Sequence, residues 1–311
     1  MLKRREFLRL SGAIAAVTAF PRIVTGAEAP VIGPFRFCLN TSTISGQRRG
    51  LLKDIEIAAT AGYDGVELWI NDITDYLKKG NTLPSLAAFI KAKGIRVENA
   101  ISFTEWMVND EDRRKQALTG LEEQMKMLAD LNCHRIAAPP AGVPANEMPD
   151  LQTAGARYRE ILMLGRKYNV MPLLEFWGAS GTLYNFGQAL AIAAAAHDAD
   201  ARLLPDVYHM FRGGSGFDCL KLVNGNVIDI IHMNDYPASK PANEQNDEDR
   251  IYPGDGVAPI KQILGDLRAM GGPKTLSLEL FNKEYWADDA LNVARRGLEK
   301  MKSLVKESMA G

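Results

Sequence analysis

Short apolar runs alternate with longer amphipathic stretches along most of this chain. The runs are rich in β-branched and aromatic residues, which favours strands, and the stretches between them repeat apolar residues at the spacing of one helix face. Several stretches end in Gly just before the next run, as at Gly62, Gly94 and Gly271, and Gly is a common residue at helix ends. The predicted strands are residues 35–44, 65–70, 96–102, 135–140, 169–177, 201–209, 227–236 and 275–281.

Eight strand–helix units predict a single-domain α/β protein with the (β/α)₈ fold, the TIM barrel. Strands that alternate with helices form a parallel sheet, and eight such units close it into a barrel. An open doubly wound sheet is the alternative, but it would need a Gly-rich turn after the first strand, and residues 39–44 contain no Gly. We expect the barrel domain to occupy residues 28–311, which suits one barrel of about 250 residues with added loops.

Residues 1–27 predict an export signal rather than part of the barrel. Arg4 and Arg5 stand before Phe7 and Leu8, and an uncharged, mostly apolar stretch follows. A basic segment before a short apolar run is typical of a signal peptide, and the paired arginines resemble the twin-arginine signal. An ordinary secretory signal and a basic amphipathic helix are the alternatives. We expect export by the twin-arginine machinery to the periplasm or the medium, with no stable membrane insertion after processing.

Composition limits the chemistry that the chain can perform. The 311 residues include 37 Lys and Arg against 38 Asp and Glu, a net charge of −1, so the basic surplus typical of nucleic-acid binding is missing. The three cysteines are too few and too widely spaced for a disulfide framework or a zinc ribbon. Any metal site must therefore use carboxylates and the four histidines: His134, His197, His209 and His232.

Carboxylates and one imidazole stand near the carboxyl ends of the last four predicted strands, where a TIM barrel carries its active site. These residues are Glu175, Asp206, His232 and Glu279. A buried carboxylate is costly unless its charge is compensated, and a divalent cation would compensate three at once. An oxygen-rich set with one imidazole suits Mn²⁺, Mg²⁺ or Co²⁺, with Zn²⁺ possible. The alternative is four separate buried residues, each held by hydrogen bonds.

The same region resembles the xylose isomerase-like barrel superfamily, especially its sugar isomerase and ketose 3-epimerase branch. The resemblance implies that Glu175, Asp206, His232 and Glu279 bind one divalent metal ion. It also implies that Glu175 and Glu279 are the catalytic proton-transfer pair and that His209 binds a substrate oxygen. The motifs that carry it are Leu174-Glu175, Asp206-x-x-His209, His232-x-x-Asp235, Pro253-Gly-Asp-Gly256 and Ser277-x-Glu279.

The substrate-facing positions match that pattern less closely. Such epimerases often carry Arg about six residues after the metal-binding His, but this chain has Ala238 there, so Arg250 is expected to bind substrate instead. Glu67, at the end of the second strand, is expected to orient substrate or a metal ligand, with a structural role as the alternative. Residues 237–255 are predicted to form a lid or a subunit contact, or else a solvated loop. Aromatic residues that could wall the pocket, with ordinary packing as an equal alternative for each, are Trp69, Phe103, Trp106 and Trp177.

The expected activity follows from removing a proton next to a carbonyl group. A divalent ion on the carbonyl oxygen stabilises the enediolate, and Glu175 and Glu279 transfer the proton. We therefore expect a metal-dependent isomerase or epimerase of a small, non-phosphorylated keto-sugar. A lyase or dehydratase acting on a keto-sugar or keto-inositol is the main alternative. A repair endonuclease and a non-catalytic sugar-binding protein are further ones, and a homo-oligomer is compatible with the sequence.

Overall fold

Parallel strands surrounded by helices form a TIM barrel, which confirms the predicted fold. The computed structural model describes residues 34–310, so the predicted signal at residues 1–27 lies outside the described residues. The strands are β1 (Phe35–Asn40), β2 (Gly65–Trp69), β3 (Arg96–Ile101), β4 (Arg135–Ala138), β5 (Met171–Glu175), β6 (Leu203–Leu204), β7 (Ile230–Met233) and β8 (Lys274–Leu278).

The helices follow the strands on the outside of the barrel. Within residues 34–310, no helix has both the length and the apolar character needed to cross a membrane. The α-helices are α1 (Leu51–Ala61), α2 (Ile70–Lys78), α3 (Leu83–Ala92), α4 (Glu111–Asp130), α5 (Leu151–Tyr168), α6 (Phe186–Ala195), α7 (Val207–Arg212), α8 (Ile260–Ala269), α9 (Lys283–Ala287) and α10 (Ala290–Ala310). Short 3₁₀ segments cover Thr41–Gln47, Asp218–Leu222, Ala242–Glu244 and Asp247–Asp249.

Strand pairing runs in two parallel segments around the barrel. One segment has the order β3-β2-β1-β8-β7 and the other the order β4-β5-β6. Isolated parallel bridges join the second segment to the first, pairing Leu203 with Ile228 and Asp206 with His232. On the opposite side, Arg135 of β4 donates a hydrogen bond from Nη1 to the backbone oxygen of Glu98 in β3, at 3.1 Å.

Every strand ends earlier than the sequence pattern predicts, and the difference is largest for the first and the sixth. The first stops at Asn40, because the chain turns into the 3₁₀ segment Thr41–Gln47. The sixth was expected to run to residue 209 but has only two residues. Asp206 instead caps α7, and its Oδ1 accepts the backbone N–H of His209 at 2.9 Å. An Asp at the N-cap starts a helix, so the chain leaves the strand before His209.

Apolar side chains pack in two places around these strands. The outer faces of the strands contribute to a large core shared with the helices, which includes Leu276 and Leu278 of β8. A smaller cluster gathers residues from five neighbouring strands, as expected for the filled interior of a TIM barrel. Its members are Ile101, Ala137, Leu173, Leu204 and Ile230, with Trp69 packed against them.

Candidate metal centre and cavity

The four predicted metal ligands meet at the carboxyl ends of β5 to β8. His232 is central, because its Nδ1 lies 3.1 Å from Glu279 Oε2, 3.5 Å from Asp206 Oδ2 and 3.9 Å from Glu175 Oε1. All four side chains are buried. Asp206, His232 and Glu279 each offer one ligand atom within 4.8 Å of the others, and Glu175 lies just outside that group.

This arrangement fits a divalent cation. Nδ1 of His232 is buried and makes no hydrogen bond within the described residues, although it faces three carboxylates. The other ring nitrogen, Nε2, lies 3.0 Å from Oε1 of Glu67. A histidine held at one nitrogen by a carboxylate, with its other nitrogen among oxygen ligands, is typical of metal centres. The donor set of one imidazole and several carboxylates suits a divalent ion.

Glu67 lies behind His232 and not in the cavity. Its side chain is fully buried, and its two oxygens accept hydrogen bonds from Asn40 Nδ2 (2.8 Å), Asn99 Nδ2 (2.7 Å) and Ser277 Oγ (2.7 Å). Burial alone would raise its pKa, but the charge of His232 and hydrogen bonds from His232, Asn99 and Ser277 hold the pKa below the usual value. Glu67 is therefore placed to orient His232, one of the predicted metal ligands. Glu67 does not line the cavity, so its position does not fit the substrate contact expected for it.

Arg250 contacts the ligand set itself. Its buried guanidinium donates from Nη1 to Glu279 Oε2 at 2.8 Å and to Asp206 Oδ2 at 3.0 Å. Nη2 donates to Asp247 Oδ1 at 2.7 Å and lies 3.2 Å from His209 Nε2. Arg250 therefore orients two carboxylates of the site, while one edge of its side chain also faces the cavity.

The loop that carries Arg250 is anchored by Asp235. The carboxylate of Asp235 accepts backbone N–H groups from Gly254 (2.9 Å), Gly256 (3.0 Å) and Ala258 (2.9 Å). A Cβ atom at position 256 would lie only 2.2 Å from the backbone oxygen of Tyr236, so this close approach requires Gly. Because Asp235 fixes the backbone that follows Arg250, this loop packs over the site.

A main cavity of about 530 Å³ opens above the ligand set. This volume is typical of a site for a small molecule. Of the predicted site residues, Glu175, His209 and Glu279 line it with Trp177 and Arg250, whereas Asp206 and His232 lie beneath its surface. Aromatic rings form much of the remaining wall, including Trp69, Phe103 and Phe281. Trp106 does not line the cavity, because it is buried and donates from Nε1 to the backbone oxygen of Pro139 at 2.9 Å.

Burial and crowded charge shift the ionisation of the carboxylates. Burial, reinforced by Glu279 and Asp206, raises the pKa of Glu175 to about 8. Burial also raises the pKa of Glu279, with partial compensation from His232 and Arg250. For Asp206, burial acts in the same direction, but Arg250, His209 and His232 together outweigh it and hold the pKa well below the usual range. A divalent cation bound among these groups would favour the ionised forms of Glu175 and Glu279.

The two histidines respond in opposite ways. Burial opposes the charged form of His232, but the charges of Glu279 and Glu67 outweigh that effect and raise its pKa well above the usual value. Burial lowers the pKa of His209 to about 4, and the Arg250 charge adds to this effect. His209 is thus neutral near pH 7. A neutral imidazole at the cavity wall can donate or accept a hydrogen bond with a hydroxyl group.

Two asparagines that donate hydrogen bonds to predicted metal ligands were not predicted from the sequence. Asn40 Nδ2 donates to Glu67 at 2.8 Å and to Glu279 Oε1 at 2.9 Å, while its Oδ1 accepts from Trp69 Nε1 at 2.9 Å. Asn234 Nδ2 donates to Asp206 Oδ2 at 3.1 Å. Asn40 could have been found, because it is the polar residue at the end of β1. The sequence pattern placed the end of the first strand at residue 44, so Asn40 was not recognised as a strand-end residue.

Several known proteins are similar to this chain over most of its length. An inosose isomerase of Halalkalibacterium halodurans is 30% identical over 272 residues, which cover 84% of this chain and 94% of that enzyme. A 3-dehydroshikimate dehydratase of Pseudomonas putida is 23% identical over 86% of this chain, although the match spans 41% of that enzyme. The crystal structure of the IolI protein with a bound zinc atom superposes with a TM-score of 0.80 at 24% identity, covering 88% of this chain and 99% of that one.

A family match covers most of the chain. Residues 55–304 match the family described as xylose isomerase-like TIM barrel. The match includes β2 to β8 and all of the predicted metal ligands. This chain therefore belongs to the xylose isomerase-like TIM barrel family.

Proposed function

We propose that this protein is a divalent-metal-dependent isomerase of a non-phosphorylated, sugar-like ketone. The observation that carries the proposal is the convergence of Glu175, Asp206 and Glu279 around Nδ1 of His232, at the floor of a cavity of small-molecule size. The similarity to inosose isomerases over most of both chains supports this reaction class and makes inosose the first substrate to test.

The metal part of the proposal concerns four side chains. His232 Nδ1, Asp206 and Glu279 would hold the ion, with Glu175 beside them. When bound, a divalent cation supplies Lewis acidity that stabilises negative charge on a substrate oxygen. The zinc atom named for the IolI structure supports a metal in this fold, and the donor set is compatible with Mn²⁺, Mg²⁺, Co²⁺ or Zn²⁺.

The proton transfer is assigned to Glu175 and Glu279. Both line the main cavity, and they come from β5 and from the residue after β8, so they reach the substrate from different strands. One carboxylate removes the proton beside the carbonyl group, and the other can return a proton to the neighbouring carbon or to the opposite face. Arg250 holds Glu279 in place, while neutral His209 binds a substrate hydroxyl.

A dehydratase is the second candidate, because 3-dehydroshikimate dehydratases match most of this chain. The same proton abstraction, followed by loss of a hydroxyl group from the next carbon, would give dehydration. The two reactions differ in whether water is lost, which product analysis detects directly.

Turnover of inosose in D₂O by metal-loaded protein tests the proposal. An isomerase gives a product of unchanged composition with deuterium on the carbon next to the carbonyl group. A product that is lighter by one water supports the dehydratase instead. If a panel of inososes and free ketoses shows neither turnover nor deuterium exchange, the proposed function is wrong.

A further inference from the structure

A second cavity of about 490 Å³ adjoins the main cavity at the same end of the barrel. The two cavities share Trp69, Ile101 and Phe103 as lining residues. We call the second one the side groove, and it lies between the end of β3 and the first half of α4. Its remaining lining includes Asn71, Ser102, Gln116, Gly120 and Gln124.

The side groove presents neutral hydrogen-bonding groups. Ser102 Oγ donates to Gln124 Oε1 at 2.7 Å, which fixes the amide oxygen and leaves the amide nitrogen available as a donor. The side chains of Asn71 and Gln116 make no hydrogen bond to other residues in the 34–310 range, so both can bind a ligand. Amides and hydroxyls that both donate and accept are suited to a ligand with many hydroxyl groups.

The charges at the side groove are already paired. Arg113 forms three hydrogen bonds with Glu105. Nη2 donates to Oε1 and to Oε2, both at 2.7 Å, and Nε donates to Oε2 at 3.0 Å. A guanidinium that is bound by a carboxylate in this bidentate way has little capacity left for an anion. The groove therefore favours an uncharged ligand over a phosphate or a carboxylate.

Phe103 stands where the two cavities meet. Its side chain is 46% exposed, although its ring lies 5.6 Å from the Trp69 ring and 5.8 Å from the Trp177 ring, measured between centroids. A large aromatic ring left exposed beside polar groups offers an apolar surface to a ligand. The C–H face of a saturated, hydroxylated ring fits such a surface.

We propose that the side groove binds a second hydroxylated ring, so that the substrate is an uncharged two-ring glycoside. The ring that bears the carbonyl group occupies the main cavity, and the second ring passes over Phe103 to reach the amides of Gln124 and Gln116. This inference rests on the proposed function for the choice of the reacting ring, but the second ring takes no part in the chemistry.

Gly120 allows the groove to be blocked without altering the main cavity. It lies within α4 and lines the side groove but not the main cavity, and a Cβ atom added there meets no other atom within 4 Å. Gly120→Phe should therefore place its ring in the groove, because its Cβ atom has free space. Gly120→Ala is the matched control, because it makes the same backbone change and leaves the groove open.

Calorimetric titration of the metal-loaded protein with glucose, maltose and cellobiose tests the inference. We expect at least one disaccharide to bind ten-fold or more tightly than glucose. Gly120→Phe should abolish that gain and leave the glucose affinity within about two-fold, whereas Gly120→Ala should keep the gain. If no disaccharide binds better than glucose, or if folded Gly120→Phe keeps the gain, the inference is wrong.

A crystal structure of the unmodified protein with the tighter disaccharide covers the case in which Gly120→Phe does not fold. A second ring in contact with Phe103 and Gln124 supports the inference, and a second ring outside the side groove overturns it. These measurements read binding and not turnover. Failure of the inosose experiment would therefore remove the proposed reaction, and failure here would remove only the two-ring ligand.

Discussion

Glu67 holds the imidazole of His232 from the side opposite the cavity, with 3.0 Å between Glu67 Oε1 and His232 Nε2. The ring is thereby turned so that Nδ1 faces the carboxylates of the site. A carboxylate in this position also makes the imidazole more basic and fixes which nitrogen carries the proton. The orientation of the one nitrogen ligand therefore depends on a residue that does not touch the cavity.

Replacing Glu67 with Gln should weaken metal binding by about 10- to 100-fold, the usual effect of losing a partner of a metal-binding histidine. The amide N–H group of Gln would also face a donor of Asn40, Asn99 or Ser277, so one hydrogen bond would be lost. Competition with a chelator of known affinity measures the change. Glu123→Gln, an exposed change on α4, is the control. Equal metal affinity in both variants would show that Glu67 does not support the metal site.

Removing the metal should lower the melting temperature. A cation that binds the folded chain and not the unfolded one stabilises it by mass action. We expect elemental analysis to find about one divalent ion per chain, because residues 34–310 hold one such ligand set, the one around His232. A chelator should lower the melting temperature and added Mn²⁺ or Co²⁺ should restore it. Protein without metal and without a thermal response to these ions would contradict the ligand assignment.

Replacing Glu279 with Gln should reduce turnover by about 10²- to 10⁴-fold, the range for loss of a general acid or base. The side chain keeps its size and one oxygen, so metal binding should weaken less than turnover. Glu284→Gln, five positions along the chain and exposed on α9, is the control and should be near normal. Near-normal turnover in Glu279→Gln would show that Glu279 does not transfer the proton and serves only as a metal ligand.

Asp54 should make stability depend on pH. It is buried in the first turn of α1, and burial raises its pKa from 3.8 to about 6, with the charge of Arg49 opposing the shift. Folding therefore favours the protonated carboxyl group. The stability that this protonation contributes is fully present below about pH 4 and is lost as the pH rises through 6. At neutral pH, ionisation of Asp54 should lower the free energy of unfolding by about 2–3 kcal/mol. Asp54→Asn cannot ionise and should not show this loss.

Urea unfolding of the wild type and Asp54→Asn at pH 4, 5.5 and 7 tests this dependence. The stability of the variant relative to the wild type should rise with pH across that range. Asp75→Asn, an exposed change on α2, should show no such trend. A constant difference between Asp54→Asn and the wild type would mean that Asp54 does not titrate in the folded protein.

Export by the twin-arginine route remains a proposal from the sequence. Changing Arg4 and Arg5 to Lys should leave the precursor folded in the cytoplasm, because that machinery recognises the paired arginines. Cell fractionation, with a folding assay on the retained protein, measures the outcome. Changing Lys3 to Arg is the control and should not impair export. Normal export of the double Lys variant would indicate the ordinary secretory route.

The alternation of apolar and polar residues was enough to predict the barrel and the meeting of Glu175, Asp206, His232 and Glu279. Strand ends in a parallel barrel lie at one rim, so residues distant in the chain converge without knowledge of any contact. His209 and Trp177 were likewise expected at the cavity, and both line it.

Other features depend on tertiary contacts that sequence patterns do not contain. Arg250 was expected to contact substrate, but its guanidinium donates hydrogen bonds to Glu279 and Asp206. These contacts depend on how the loop folds over the site. Glu67 looks like any strand-end carboxylate until Asn40, Asn99 and Ser277 are seen to surround it. The early end of β6 arises because one Asp side chain caps the next helix.

The parallel bridge between Asp206 and His232 links the spacing of the ligands to the register of the sheet. Neighbouring strands lie about 4.8 Å apart, so backbone pairing sets the separation of the Asp206 and His232 backbones. This separation does not depend on a bound metal. A shift of one residue would turn the side chain of His232 towards the helices. Insertions in this segment of the family should thus be tolerated in the loops after the bridge and selected against between Leu203 and Asp206, where one added residue would separate the pair.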